Sequence, residues 1–420
     1  MRFLYSIAFY LSIPFILLHF ALRGLKDKAY LGRWKERFAY YDQPSREGGI
    51  VIHAASVGEL NAAESLIRSL AESLQPSSLT ITTFTPTGSA RAQSLLNADM
   101  VHFYAPLDLP GAIKRFFEYT KPRLLIIMET EIWPNLLHEA NSRNIPVLMA
   151  NARMSGKSFI SYRRFSSLTE GALSKVNYVA AQSNKDLNRL VACGVNPDRI
   201  QVVGNMKFDL RIPPGLKEKA VTLRQHWNKE RPVIIAGSTH AEDDIAVLTA
   251  FGSVLKAYPD TLLILVPRHP ERFIEAADLS AQMGYKTELF SNGEACSPNA
   301  QCFVIDAMGV LQQYYACSDI AIIGGSFGPV GGHNPLEAAA VGVPIIVGPH
   351  TDNIAEVTDA LVKAGAAIQV DDFETLASEL CALIGQKDRR QSMGKAGKQM
   401  VLQGQGALQE VLKAVNNLVD

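Results

Sequence analysis

The chain has 420 residues, 47% of them apolar and 20% charged, with 41 basic against 41 acidic side chains and a formal net charge of zero. That length exceeds one ordinary core and predicts two or three domains, while the balanced composition excludes a disordered chain and a protein steered to nucleic acid by its overall field. Five cysteines (Cys193, Cys296, Cys302, Cys317, Cys381) lie scattered without Cys-x-x-Cys spacing, which predicts reduced, mostly buried thiols in a cytoplasmic compartment and argues against a structural zinc site.

The run Phe3 to Leu22, FLYSIAFYLSIPFILLHFAL, has no Asp, Glu, Lys or Arg. As a helix it would extend roughly 30 Å, about the hydrocarbon thickness of a bilayer. Pro14 and His19 also suit a helix lying at the interface, so spanning and lying remain open. The next stretch, 23–37, carries Arg23, Lys26, Lys28, Arg33, Lys35 and Arg37 against Asp27 and Glu36. Positive charge on this flank predicts that the bulk of the chain stays on the cytoplasmic side of a membrane, with anionic lipids as partners. A cleaved signal peptide is disfavoured, because the apolar run is long and no small-x-small site follows it.

From residue 48 short apolar runs alternate with amphipathic stretches such as Ala62–Leu74. The expected strands are Gly49–Ala54, Leu79–Phe84, Met100–Tyr104, Arg123–Met128, Pro146–Ala150, Tyr178–Ala181 and Gln201–Val203. Near-continuous apolar runs are the mark of parallel strands covered on both faces, hence a doubly wound α/β domain. The first run empties into HAASVGEL (53–60), in which Ser56 and Glu59 fit a Ser-x-x-Glu capping box. Gly58 is expected to let the chain turn tightly, and the helix dipole to keep Glu59 ionised. Glu59 is then either a cap or a carboxylate aimed at a ligand. Further on, METEIWPN (128–135) brings Glu129 and Glu131 out of a buried strand, either to hold the loop or to face a cleft. The segment 151–165 offers Arg153, Lys157, Arg163 and Arg164 with aromatics between, as a solvated helix face or as a surface for anionic headgroups.

The pattern breaks at RIPPGLKEK (211–219), the expected linker. Alternation restarts with Val233–Ala236, Leu262–Val266, Phe303–Ile305, Ile320–Ile323 and Pro344–Val347, which predicts a second α/β domain. The domain limits read as 1–40 anchor and basic segment, 41–210, 211–388, and a helical tail 389–420. The densest motif is IIGGSFGPVGGHNPLEAAAVGVPIIVG (322–348), a strand, a Gly-rich loop and a helix start with Asn334, Pro335 and Glu337 at favoured positions. It reads as a well-capped turn or as an anion site at a helix N-terminus. No P-loop and no Gly-x-Gly-x-x-Gly is present. AGSTHAEDD (236–244) follows another strand, with Thr239 and Glu242 as a possible capping box and Ser238 and Thr239 as donors to the same phosphate. VPRHPERF (266–273) places Arg268 and His269 at a strand end, pointing into the expected cleft, where a guanidinium suits a phosphate or carboxylate.

Together HAASVGE, METEIWPN, NARMS, GNMKFD, GSTHAEDD, PRHPERF and GGSFGPVGGHNPLEAAAVGVPIIVGPH resemble the 3-deoxy-D-manno-octulosonic acid (Kdo) transferases of Gram-negative lipopolysaccharide assembly, in order along the chain. The resemblance implies an α/β fold of the GT-B type, with two facing Rossmann-like domains. It implies inverting transfer of Kdo from CMP-Kdo to the lipid A precursor, without catalytic metal or cofactor. Glu59 is then the base, with Glu129 beside it. The expected donor residues are Ser238, Thr239, Arg268, Gly325, Ser326, Phe327, Gly332, Asn334 and Glu337, with Lys207 for the Kdo carboxylate. The expected acceptor side holds Ser56, Gly58, Glu131, Arg153 and Arg163. A nucleotide-sugar 2-epimerase of the same fold is the alternative enzyme, and a non-catalytic CMP-sugar-binding membrane protein the alternative of another class.

Overall fold

The computed structural model describes residues 1–42, 47–73, 79–97, 100–210 and 212–419. The expected linker start at Arg211, the helix end at Leu74 and the last residue, Asp420, lie outside these. The chain forms two compact units, one of Met1–Asp209 with Gly404–Asp420, the other of Leu210–Gln403.

In the first unit the strands are β1 (Ile50–His53), β2 (Leu79–Thr83), β3 (Met100–Tyr104), β4 (Leu124–Met128), β5 (Val147–Ala152), β6 (Tyr178–Ala181) and β7 (Ile200–Val202). They form one parallel sheet in the order β3-β2-β1-β4-β5-β6-β7. Every residue of β1 to β5 is buried, which is why their sequences are apolar without alternation. One face packs on the helix Val57–Ser73 and on the last helix, Ala407–Val419; the other packs on Phe116, Phe117, Leu137 and Leu173.

The second unit holds β8 (Val233–Thr239), β9 (Leu262–Pro267), β10 (Thr287–Leu289), β11 (Cys302–Val304), β12 (Ile320–Ile323), β13 (Ile345–Val347) and β14 (Ala367–Gln369). These too are parallel, ordered β10-β11-β9-β8-β12-β13-β14. The sequence pattern misses β10 and β14, the two edge strands; each has three residues and partial exposure, too short and too wet for an apolar signature. Strand order reverses between β1 and β4 in one sheet and between β8 and β12 in the other. At such a point neighbouring connections leave in opposite directions and open a crevice beyond the C-terminal strand ends. Both dense motif clusters sit there.

The tail divides. Residues Lys387–Gly404 form a helix most of which belongs to the second unit, while Ala407–Val419 returns to the first. The return is held by Asp209 of GNMKFD, whose carboxylate accepts the amides of Gly406 (2.7 Å) and Leu408 (2.8 Å). Removing a charged cap costs about 1–2 kcal/mol. Asp209→Ala is therefore expected to lower the denaturant midpoint of the first unit while leaving the second unit's transition in place.

The helix Arg2–Lys26 is the one described helix long and apolar enough to cross a membrane. One of its faces docks on the first unit. Ser6 donates to Asn135 (3.1 Å) and Tyr5 to Asp108 (3.0 Å), and Phe9, Ile13 and Ile16 cover Leu107, Leu109 and Ala112. The opposite face exposes Phe3, Leu4, Leu11, Phe15, Leu18, Leu22 and Leu25. The basic segment after it is only partly a solvated strip. Arg37 is 1% exposed, its guanidinium 4.4–5.0 Å from the ring centroids of Phe20, Phe84 and Tyr104. Arg33 pairs with Glu36 at 2.6 Å.

Candidate active site

In the first unit the chain leaves β1 through Ala54–Ser56 and enters the helix Val57–Ser73, with Glu59 in its first turn. A regular capping box would return the Glu59 carboxylate to the Ser56 amide. Instead Oε2 accepts the Ala55 amide at 2.7 Å and Oε1 accepts the Ser56 hydroxyl at 2.9 Å, while the Glu59 amide reaches Ser56 Oγ only at 3.4 Å. The carboxylate thus lies back over the strand end. Gly58 is exposed, its φ is not positive, and an added Cβ would approach nothing nearer than Ser56 Oγ at 3.8 Å. The tight turn expected of Gly58 is absent; the position is open space beside Glu59.

Next to β1 in the sheet, β4 delivers Glu129 and Glu131. Glu129 stands at φ 53°, a left-handed conformation costly for a side chain with a Cβ, and pairs with Arg153 at 3.0 Å. Glu131 accepts the Trp133 indole N–H at 2.8 Å, and Trp133 packs edge-on against His53. Three carboxylates therefore converge on the switch point of the first sheet. Burial, then Glu131 and more weakly Glu129, push the Glu59 carboxyl up to about 7 against the pull of its two hydrogen bonds. The helix dipole does not prevail, and Glu59 is poised rather than firmly ionised. Burial likewise raises Glu131. Arg163 lies apart from this group on the helix Gly156–Arg164, exposed and donating to the Ala192 carbonyl at 3.0 Å. Lys207 lies in the first unit, in the turn Met206–Phe208, whereas the other expected donor residues belong to the second.

In the second unit the switch point gathers the loops after β8, β9 and β12. Asp243, fully buried, organises them: its carboxylate accepts the amides of His240 (2.8 Å), Gly325 (2.6 Å) and Phe327 (2.9 Å). The box at this helix start is thus His240 with Asp243, one residue beyond the Thr239–Glu242 pair read from sequence. Gly324 is obligatory, since a Cβ there would lie 2.3 Å from the Ser238 carbonyl oxygen; Gly325 takes φ +72°. Ser238 itself adopts φ 59° at a bulge in β8.

Several expected ligand groups are spent internally. Ser326 is buried, donating to the Ile323 carbonyl at 2.5 Å and accepting the Gly348 amide at 2.8 Å. Thr239 is buried beneath the loops rather than facing a ligand, its hydroxyl near Asp244 but without a hydrogen-bond partner of good geometry, and Asp244 pairs with Arg272 of PRHPERF at 2.7 Å. Gly332 donates to Gly325 O and His333 to Gly324 O. Asn334 accepts the Leu336 amide at 3.0 Å, and the helix that follows, Leu336–Val341, has only six residues, too few for a strong dipole. Glu337 lies in its first turn, acting on the buried Tyr315 hydroxyl beneath Gly237. Arg268, half-buried, is tied through its amide to Thr239 O at 2.9 Å. Around it stand three histidines. His240 and His333 lie edge to edge in nearly one plane with Nε2 atoms 2.9 Å apart, and His269 meets His240 edge-on. Sequence reasoning missed Asp243 and the His240–His333 pair, because the contacts join residues about 80 to 90 apart in the chain.

Two seven-stranded parallel sheets, one with a carboxylate cluster and the other with a Gly-rich, cationic loop cluster at its switch point, define a GT-B-type glycosyltransferase. Residues 229–400 match the group 1 glycosyl transferases, and residues 32–210 match the 3-deoxy-D-manno-octulosonic-acid transferases (kdotransferases). A 3-deoxy-D-manno-octulosonic acid transferase of Haemophilus influenzae is 39% identical over 98% of this chain and 97% of its own length. One from Bordetella pertussis is 34% identical over 94% and 97%. The chain belongs to the 3-deoxy-D-manno-octulosonic acid transferase family. Among solved structures, the UDP-GlcNAc 2-epimerase of Neisseria meningitidis shares the fold at 15% identity, with a TM-score of 0.52 over 88% of this chain and all of its own.

Proposed function

We propose that this enzyme moves Kdo from CMP-Kdo to the lipid A precursor, with Glu59 as general base. The observation that carries this reading is the Glu59 carboxyl, held at a strand end among two other carboxylates and raised to about 7, where a base both ionises and accepts a proton near neutral pH. An acceptor hydroxyl loses its proton to Glu59 as it attacks the anomeric carbon, while the phosphate leaves with its charge stabilised by cationic groups of the second unit. Glu129 and Arg153 border the base, and Glu131 tunes it. The second unit takes the donor: Ser238, Arg268, Gly325, Phe327, Gly332, Asn334 and Glu337 line or shape its loops, with Thr239 and Ser326 holding them from beneath. Lys207 is the proposed partner of the sugar carboxylate, and Ser56, Gly58, Glu131 and Arg163 belong to the acceptor side.

The N-terminal helix attaches the enzyme to the cytoplasmic face of the inner membrane. Its exposed apolar row meets lipid while Ser6 and Tyr5 tie the other face to the first unit, which suits a helix lying in the interface. Incubation of the protein in detergent with CMP-Kdo and the tetra-acylated precursor should add the mass of one or more Kdo units to the acceptor. Release of free epimerised sugar, or no mass gain, would overturn the reading.

The acid limb of the transfer rate is set by Glu59 and should rise through about pH 7. Because Glu131 is the largest electrostatic cause after burial, Glu131→Gln should move that midpoint to lower pH, yet leave it above the ordinary carboxylate range. A pH–rate profile of kcat/KM for both proteins checks the shift; an unmoved midpoint removes Glu131 from this role.

A further inference from the structure

We infer that His240 and His333 act as a single proton-accepting pair that becomes positively charged when the phosphate of a nucleotide enters the second unit, so that binding takes up one proton from solvent. This rests on the proposed donor site and adds to it a source of positive charge.

The geometry allows one extra proton and no more. Nε2 to Nε2 at 2.9 Å is a hydrogen bond, so one nitrogen carries a hydrogen and the other does not. Two protonated Nε2 atoms would repel at that distance. The ring centroids are 5.2 Å apart and the ring planes 10° from parallel, so the rings lie edge to edge in nearly one plane, which aims the Nε2–H at the other Nε2. Chelation is a poor account of it. Two imidazoles on one tetrahedral zinc, at about 2.0–2.1 Å each, would place their nitrogens roughly 3.3 Å apart. Among the described residues no group of three His, Cys, Asp or Glu is able to hold a metal.

Need for such a charge follows from how the loops are built. The amides of Gly325, Phe327 and His240 are given to Asp243, and those of Gly324, Gly332 and His333 to carbonyls. The helix beyond has six residues and little dipole. A backbone cradle of the usual kind is thus largely spent, and side-chain cations must meet an incoming phosphate. Arg268 is one. The histidine pair stands beside it.

The groups facing the pair work in both directions. Asp243 and Glu242, on the helix after β8, favour an imidazolium; burial, Arg268 and His269 oppose it. Burial comes first for both rings, holding His333 down at about 4 and His240 below its ordinary value. The empty pair is therefore neutral at pH 7. A phosphate that offsets Arg268 and adds negative charge raises the pair's affinity for a proton, so uptake accompanies binding and ligand affinity falls as pH rises. One linked proton sets a limit of about tenfold per pH unit.

The test is isothermal titration of the full chain with CMP at pH 7.5, in Hepes and in Tris, whose ionisation enthalpies differ. CMP is then almost wholly dianionic, its second phosphate pKa being about 6. The difference in observed heat gives the protons taken up. About 0.5–1 is expected for the unaltered protein, with affinity falling several-fold from pH 7 to 8. In His333→Phe, which keeps an aromatic ring without nitrogen, and in His240→Asn, uptake should fall towards zero and the pH dependence flatten. Binding of CMP to the unaltered protein without proton uptake overturns this inference alone, and needs no variant. Uptake lost in His269→Gln but kept in both pair variants also overturns it. No CMP binding by the unaltered protein overturns the donor-site reading with it.

Discussion

Glu59→Gln is expected to lower transfer of Kdo by roughly 10²–10⁴-fold while leaving CMP binding unchanged, the usual range for loss of a positioned general base. Glutamine fits the site. Its carbonyl oxygen takes the Ala55 amide now bound by Oε2, and its NH2 donates to the Ser56 hydroxyl, which turns to accept. The stability readout separates a base from a cap. A carboxyl whose folded-state pKa is raised destabilises the fold once ionised; the cost begins as pH passes the ordinary carboxylate value, grows to about pH 7 and is constant above. Glutamine carries no such cost. Above pH 7 the variant should therefore unfold at an equal or higher temperature than the unaltered enzyme, although it is inactive. Transfer within tenfold of the original, or a lower unfolding temperature at pH 8, would return Glu59 to a capping role.

The contrast with Asp209 shows where sequence reading reaches and where it stops. Both are acidic residues within dense motifs. Glu59 was legible because a local pattern, Ser-x-x-Glu after an apolar strand, already placed it at a helix start. Asp209 gave no such sign, since the amides it caps lie 197 and 199 residues further along. The same distinction runs through the fold. Twelve of the strands were readable as apolar runs because both faces of each sheet are covered, whereas edge strands β10 and β14 depend on pairing for their existence. In the site, the Gly-rich motif was readable as a loop but not as a loop whose amides are already taken. Ser326 illustrates the cost of that gap: a hydroxyl in a phosphate-like motif proves to be buried and fully bonded within the protein. Gly58 errs in the other direction, a glycine assigned to a turn that instead leaves open space beside a carboxylate.

Asp243 carries the second large effect. It is 0% exposed and joins the loop after β8 to the loop after β12 through three amides, so its removal takes the acceptor from three donors at once, that of Gly325 buried and those of His240 and Phe327 part-buried. A buried unpaired amide costs about 1–3 kcal/mol, and with the smaller penalties of the two part-buried amides the total is on the order of a 100-fold change in an equilibrium. Asp243→Ala is accordingly expected to weaken CMP binding by about 100-fold, and to open the Gly-rich loop to proteolysis between Gly324 and His333. Asparagine should be nearly as damaging. It offers one acceptor oxygen where two are used, and turns its NH2 towards an amide N–H whichever way the side chain flips. This sets Asp243 apart from Glu59, where the amide substitution is tolerated by the fold. The measurement that joins them is CMP titration of both variants in parallel. Glu59→Gln should bind as the unaltered protein does, and Asp243→Asn should not. If Asp243→Asn binds CMP with undiminished affinity, the loop does not depend on its carboxylate for shape, and Gly324 and Gly325 alone would have to set the path of the chain.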